Sequence, residues 1–371
     1  MVYNTAANMI RRSVFSLMAM LVSILAACAA RAGRPLVDPF PLTFPLAEAR
    51  TLDIDGHVVG QPRARNGIVY FAAKEGSLTA VVIPSRSILW RFKADHPLAS
   101  GPELSADRIV VRDDDNVLYV LDLNGGLVLA KRIDEGATTP VRAFGSRLYF
   151  GTAGGRILSL DVAAGGARLW EYRVPSSEAA VTAGPVFDGD RVVFGTAGGR
   201  ILALGQDGLP VWEFAADGAI RADPVVQDGR LYFGTEGRRF YCLNASGGQK
   251  IWSRPLQGAP RYPALVFGRR LAFTASNSVF YLLARRGGSI VSWTPIASRI
   301  IHEPAAAGRI ALVSSAAPDL AALDIQTGRT VGRYLAAGSL VAGAIWESSS
   351  VVLVEEDPES GRQRLTVLKA R

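Results

Sequence analysis

Three histidines, two cysteines, a run of aspartates and the glycine pairs of two near-identical stretches are the first residues in this chain to weigh for chemistry. His57, His96 and His302 lie far apart and lack the His/Cys/Asp spacing of a tetrahedral metal site. No serine stands in the G-x-S-x-G turn that presents a nucleophile, although a Ser-His-Asp triad can assemble in space from any chain order. Arg112-Asp113-Asp114-Asp115-Asn116 offers a string of carboxylates without the Gly and Glu that complete an EF-hand calcium loop. Its place between two strand-like runs predicts a hairpin turn facing water. Gly154-Gly155 and Gly198-Gly199 precede no helix that could cradle a phosphate, so they read as turn glycines. Cys242, inside Arg239-Phe240-Tyr241-Cys242-Leu243, is expected as a small buried hydrophobe. What remains is Cys28.

Cys28 closes a segment with the layout of a secretory signal: Arg11 and Arg12, an apolar run from Val14 to Leu25, then small residues. The run falls short of the roughly 20 apolar residues a membrane span needs. Met9 is a plausible second start, since the eight residues before it add nothing to the signal. Leu25-Ala26-Ala27-Cys28 resembles a bacterial lipoprotein box. That resemblance implies a signal peptide over 1–27, cleavage before Cys28 and acylation of its thiol. Ala29 after the cysteine implies the outer membrane as destination. Residues 28–48 then form a tether held extended by Pro35, Pro39, Pro41 and Pro45.

Composition fits a folded body beyond the tether: 49% apolar and 20% charged over 371 residues. The net charge of +8 is spread along the sequence, with Arg recurring singly at Arg108, Arg147, Arg191, Arg230, Arg270 and Arg309. Nucleic-acid binding needs a concentrated basic face, so these are expected as scattered surface residues and no nucleic-acid partner is expected.

The body is repetitive. LYFGTAGGRILSLD, beginning at Leu148, returns as VVFGTAGGRILALG, beginning at Val192. Comparable anchors fall at Phe71, Val111, Phe150, Phe194, Phe233, Phe273, Leu312 and Leu353, spaced by 39 to 44 residues. Each unit reads as four short strands bounded by Gly, Asp or Asn. That pattern predicts an all-β chain, an eight-bladed β-propeller of four-stranded antiparallel blades, over 49–371 as a single domain. Trp90, Trp170, Trp212, Trp252 and Trp293 fall on the outermost strand of five units, where indoles are expected to pack between blades; the same slot holds Ala130 and Gly332 in two others. The last unit lacks a fourth strand. Residues 49–56, ahead of the first unit, are expected to supply it and so close the ring.

The unit resembles the pyrroloquinoline-quinone-type propeller repeat; Leu323-Asp324-Ile325-Gln326-Thr327-Gly328 carries half of its pattern, and Leu121-Asp122 and Leu160-Asp161 match in part. Dehydrogenases of that repeat type are implied to hold calcium through Glu, Asn and Asp beside a catalytic Asp, often with adjacent cysteines. No adjacent pair occurs here, and no cofactor is expected. With its lipoprotein signal, tether, eight repeats and amino-terminal closure, the chain resembles the BamB-type outer-membrane assembly lipoproteins. The resemblance implies a non-catalytic scaffold facing the periplasm that binds the β-barrel insertase. Pro175 to Thr182, where the family's contact motif is expected, departs from it in lacking the Leu and Arg. The alternatives are a propeller lipoprotein for another envelope partner, or a quinone-dependent dehydrogenase. Candidate partner-binding residues are those just before the inner strands, around the central channel: Arg221, Asp223, Arg261, Tyr262, His302 and Glu303.

Overall fold

In the computed structural model, residues 42–175 and 180–370 are described; the signal peptide, Cys28 and most of the tether lie outside them, as do residues 176–179. Eight antiparallel sheets succeed one another along the chain. Blade 1 covers Val58–Lys93, blade 2 Glu103–Arg132, blade 3 Arg142–Arg173 and blade 4 Val181–Ala215. Blade 5 covers Val225–Pro255, blade 6 Leu265–Pro295 and blade 7 Ala305–Leu335. In blade 8 the inner strand is in two pieces, Ser339–Leu340 and Ile345–Glu347, beside Ser350–Glu356 and Gln363–Ala370. The expected anchors hold the fourth place of their second strands in seven blades; in blade 7 the strand Ile310–Ser314 puts Val313 there, one residue after the expected Leu312.

The missing outer strand of blade 8 is Leu46–Asp53, paired antiparallel with Gln363–Ala370 from Leu46 opposite Ala370 to Asp53 opposite Arg364. The strand, and the packed residues Leu42 and Phe44 before it, extend the folded body toward the amino terminus of Ala49. The apolar core is not one mass. It is eight clusters, one at each blade interface, each joining residues of two successive blades. The cluster that joins blade 8 to blade 1 packs Val352, Val354, Leu365 and Val367 on Val69, Phe71 and Val81. The ring is therefore sealed by side chains as well as by a shared sheet.

Interfaces are fastened from outside by the tryptophans. The indole Nε1 of Trp90, Trp170, Trp212 and Trp252 donates to the carbonyl of Leu123, Gln206, Ala245 and Arg285, in each case in the turn between the third and fourth strands of the next blade. Each ring lies flat on a turn glycine at positive φ; a Cβ on Gly125 or Gly208 would sit 2.6 Å from the indole. Four of the six recurrent arginines reach the same turns, while Arg108 pairs with Asp107 and Arg309 with Asp324 of its own blade. Arg147 donates to Gln206 O at 2.8 Å, Arg191 to Ser246 O, Arg230 to Arg285 O and Arg270 to Gln326 O. For those four the position serves blade docking, which corrects the expectation of scattered surface residues at these places.

Trp293 departs from the expected packing. Ser292 pairs with Leu282, the register that Trp252 takes opposite Cys242, and Trp293 falls one place later, opposite Tyr281. One residue of shift turns a strand side chain to the opposite face. Trp293 consequently occupies the outward position held by Arg91, Glu171, Glu213 and Ser253 elsewhere and is 62% exposed. Trp252→Ala is expected to cost about 3 kcal/mol in urea unfolding, and Trp293→Ala less than about 0.5 kcal/mol. Equal losses would refute the registers described here.

At Gly332, the tryptophan slot of blade 7, the amino-terminal segment supplies the filler: a Cβ there would run into the ring of Phe44. Asp113 also differs from expectation. It is buried, accepting from Val117 N at 2.7 Å and from the Tyr119 hydroxyl at 3.1 Å, and so organises its hairpin from inside. Cys242 is buried as expected, and burial pushes its thiol up to about 11.

Candidate functional site

Inner strands converge on the axis of a propeller, so their side chains meet there across blades. One inner-strand position, eight places before each anchor, carries Arg63, Glu103 and Arg142 in blades 1 to 3 and the apolar Val186, Val225, Leu265, Ala305 and Ile345 in the others. Two places earlier stand Asp223 in blade 5 and Glu303 in blade 7. These five charged residues form one network. Arg63 lies 3.2 Å from Glu103 and 3.6 Å from Glu303. Arg142 lies 3.3 Å from Glu103 and 2.7 Å from Asp223. The backbone N–H of Gly184 donates to Asp223 Oδ1 at 2.7 Å, and Arg142 also donates to Pro185 O.

Two guanidinium groups are shared among three carboxylates. Burial pushes the Asp223 carboxyl above its ordinary range, against the pull of Arg142 and the Gly184 N–H. Burial likewise raises Glu303, against Arg63. For Arg63 and Arg142 burial acts downward but the surrounding carboxylates outweigh it, and both are held above the usual arginine value. A cavity of about 290 Å3 opens beside Glu103, lined among others by Gln61, Arg112, Thr138 and Thr139. Gln61 spans from blade 1 to blade 8, donating to Gly343 O and accepting from Gly343 N.

The structure brings two of the six sequence candidates, Asp223 and Glu303, into this network and leaves the other four outside its ion pairs. Tyr262 is half-buried, its phenol raised by burial. His302 donates from Nε2 to Leu340 O at 3.0 Å, and burial lowers its imidazole. Arg221 pairs with Glu236 at 2.8 Å in the open, and Arg261 is exposed. Arg63, Glu103 and Arg142 escaped the sequence reading. Their signal was present, since all three stand eight residues before an anchor.

Chemically the arrangement is a charged constriction. Its carboxylates are engaged by guanidinium groups, and among the described residues no group of His, Cys, Asp and Glu is placed to hold a metal. A calcium and quinone pair of the dehydrogenase type needs free carboxylates in this channel, so the residues present do not fit it.

A family model described as outer membrane protein assembly factor BamB matches residues 48–180, 162–266 and 242–363. Among solved structures, BamB from Moraxella catarrhalis is similar with a TM-score of 0.73 at 18% identity, covering 88% of this chain and 98% of that one. The computationally designed Ika8 protein gives 0.72 at 16%, covering 85% and 97%. The quinohemoprotein alcohol dehydrogenase from Comamonas testosteroni gives 0.68 at 14%, covering 88% and 77%. At such identities the likeness is one of fold. A search of curated protein sequences finds no match.

Proposed function

The chain belongs to the outer membrane protein assembly factor BamB family, and from that premise we propose that it is a non-catalytic scaffold of the bacterial envelope, binding the β-barrel insertase and aiding insertion of outer-membrane proteins. The observation that carries this reading is the family match, which runs through all eight blades. The constriction supports it: its charges pair with one another across blades, an arrangement that holds a channel in shape. In this reading Cys28 carries the lipid, the Pro-rich segment after it serves as the tether to the propeller, and Arg221, Arg261, Tyr262 and His302 offer polar and aromatic groups to a protein partner.

Affinity isolation of the full-length chain from detergent-solubilised envelopes tests the proposal. The insertase is expected to co-purify, and Arg221→Glu with Arg261→Glu to reduce its recovery at least about fivefold. Recovery of a different envelope complex without the insertase would assign the propeller to that partner instead.

A further inference from the structure

The basic residues do gather at one place, contrary to their even spread in the sequence. The turn between the first two strands of blade 6 carries Arg269 and Arg270, and the turn between its last two carries Arg285 and Arg286. Both turns lie at the same end of the blade, because a four-stranded meander puts its first and third turns together. Arg230 and Asp228 of blade 5 complete the wall of a groove of about 600 Å3, whose remaining lining is Gly268 and Ala284. Five guanidinium groups face one carboxylate.

The five are not equally engaged. Arg285 is held by Asp228 at 2.7 Å, the Tyr232 hydroxyl at 2.8 Å and Gln227 O at 3.0 Å. Arg230 and Arg270 each spend a donor on the turn of the following blade. The side chains of Arg269 and Arg286 are exposed and make no ion pair or hydrogen bond among the described residues. Each guanidinium carries five N–H donors, so the groove holds far more donors than the protein uses.

We propose that this groove binds a phosphate-bearing ligand. A phosphate group carries up to two charges and three acceptor oxygens, and takes several guanidinium groups at once where a carboxylate takes one fork. The lining gives no aromatic side chain to stack a base and no apolar patch for an acyl chain, so the recognised part is the phosphate and the polar group bearing it. A soluble phosphoester and a phospholipid headgroup share that chemistry. The groove lies on the face opposite Arg221 and Arg261, so the inference stands without the assembly reading.

The test uses the purified full-length chain and the double variant Arg269→Gln with Arg286→Gln, whose melting is expected to match the wild type because neither side chain holds a bond. Inorganic pyrophosphate, followed by calorimetry at low salt, is expected to bind the wild type with Kd of about 0.1 mM or tighter and the variant at least about tenfold more weakly. Vesicles of phosphatidylglycerol and of phosphatidylcholine separate the sources, with Cys28→Ser in both chains so that no acyl group holds them to either bilayer. Loss of phosphatidylglycerol binding in the variant assigns a headgroup, and unchanged vesicle binding with lost pyrophosphate binding assigns a soluble ligand; either supports the site. Absence of pyrophosphate binding, or equal affinity in the variant, overturns it. Tighter binding of an oligoglutamate peptide at the same residues overturns the phosphate assignment and gives the groove to an acidic polypeptide. Should the double variant melt early, Arg286→Ala alone is read in the same way.

Discussion

Deleting residues 42–53 is expected to lower the melting temperature by about 15 °C or to abolish the cooperative transition. Three losses combine. The ladder from Leu46–Ala370 to Asp53–Arg364 disappears, at roughly 1 kcal/mol net per hydrogen bond. Leu42 and Leu46, both buried, and the half-buried Phe44 and Leu52 leave their clusters, at roughly 1.5–3 kcal/mol for each that is fully buried. The strand Gln363–Ala370 becomes an open edge. The sum, about 8 kcal/mol or more, is comparable with the whole stability of an ordinary domain. Phe44→Ala isolates one part of it and is expected to cost about 2 kcal/mol, since no other side chain stands over Gly332 as the indoles stand over their turns. Scanning calorimetry of the deletion checks the claim; an unchanged melt would show that the ring does not depend on its seam.

Arg142→Ala is expected to cost about 4 kcal/mol at pH 8, against about 1 kcal/mol for Asp223→Asn. The asymmetry follows from what each variant leaves behind. Without Arg142, Asp223 remains in the channel with no ion-pair partner among the described residues, and Glu103 keeps Arg63 alone. With Asn at 223, the Gly184 N–H keeps an acceptor and Arg142 keeps Glu103 and Pro185 O. The pH dependence has a definite sign. Asp223 and Glu303 hold their protons more tightly folded than unfolded, because burial raises both. A raised carboxyl favours the folded state fully below its unfolded value of about 4, and that contribution is lost as pH rises through the raised folded value. Removing Arg142 takes away the strongest force holding Asp223 down, so the carboxyl rises further and keeps its proton to higher pH than in the wild type. The Arg142→Ala deficit should therefore shrink to about 2 kcal/mol at pH 5. Urea unfolding at the two pH values measures it, and a deficit that grows on acidification would refute the network as described.

The blade count, the antiparallel four-strand unit and the closing strand were legible because they rest on local patterns: turn glycines, β-branched runs and a period near 40 residues. The arginine clamps and four of the five tryptophans were also written in that period, though only the turn carbonyls they reach give it meaning. Three things waited for the tertiary structure. Trp293 is a matter of one residue of register, which pairing with Val279–Ala284 decides. Phe44 over Gly332 joins residues whose separation in sequence carries no signal. The constriction and the arginine groove join blades 1, 2, 3, 5 and 7 in one case and blades 5 and 6 in the other. A repeat fixes what each blade looks like, but charges meet at the axis and between turns only once the ring has closed, because distance there is set by the circle and not by the chain.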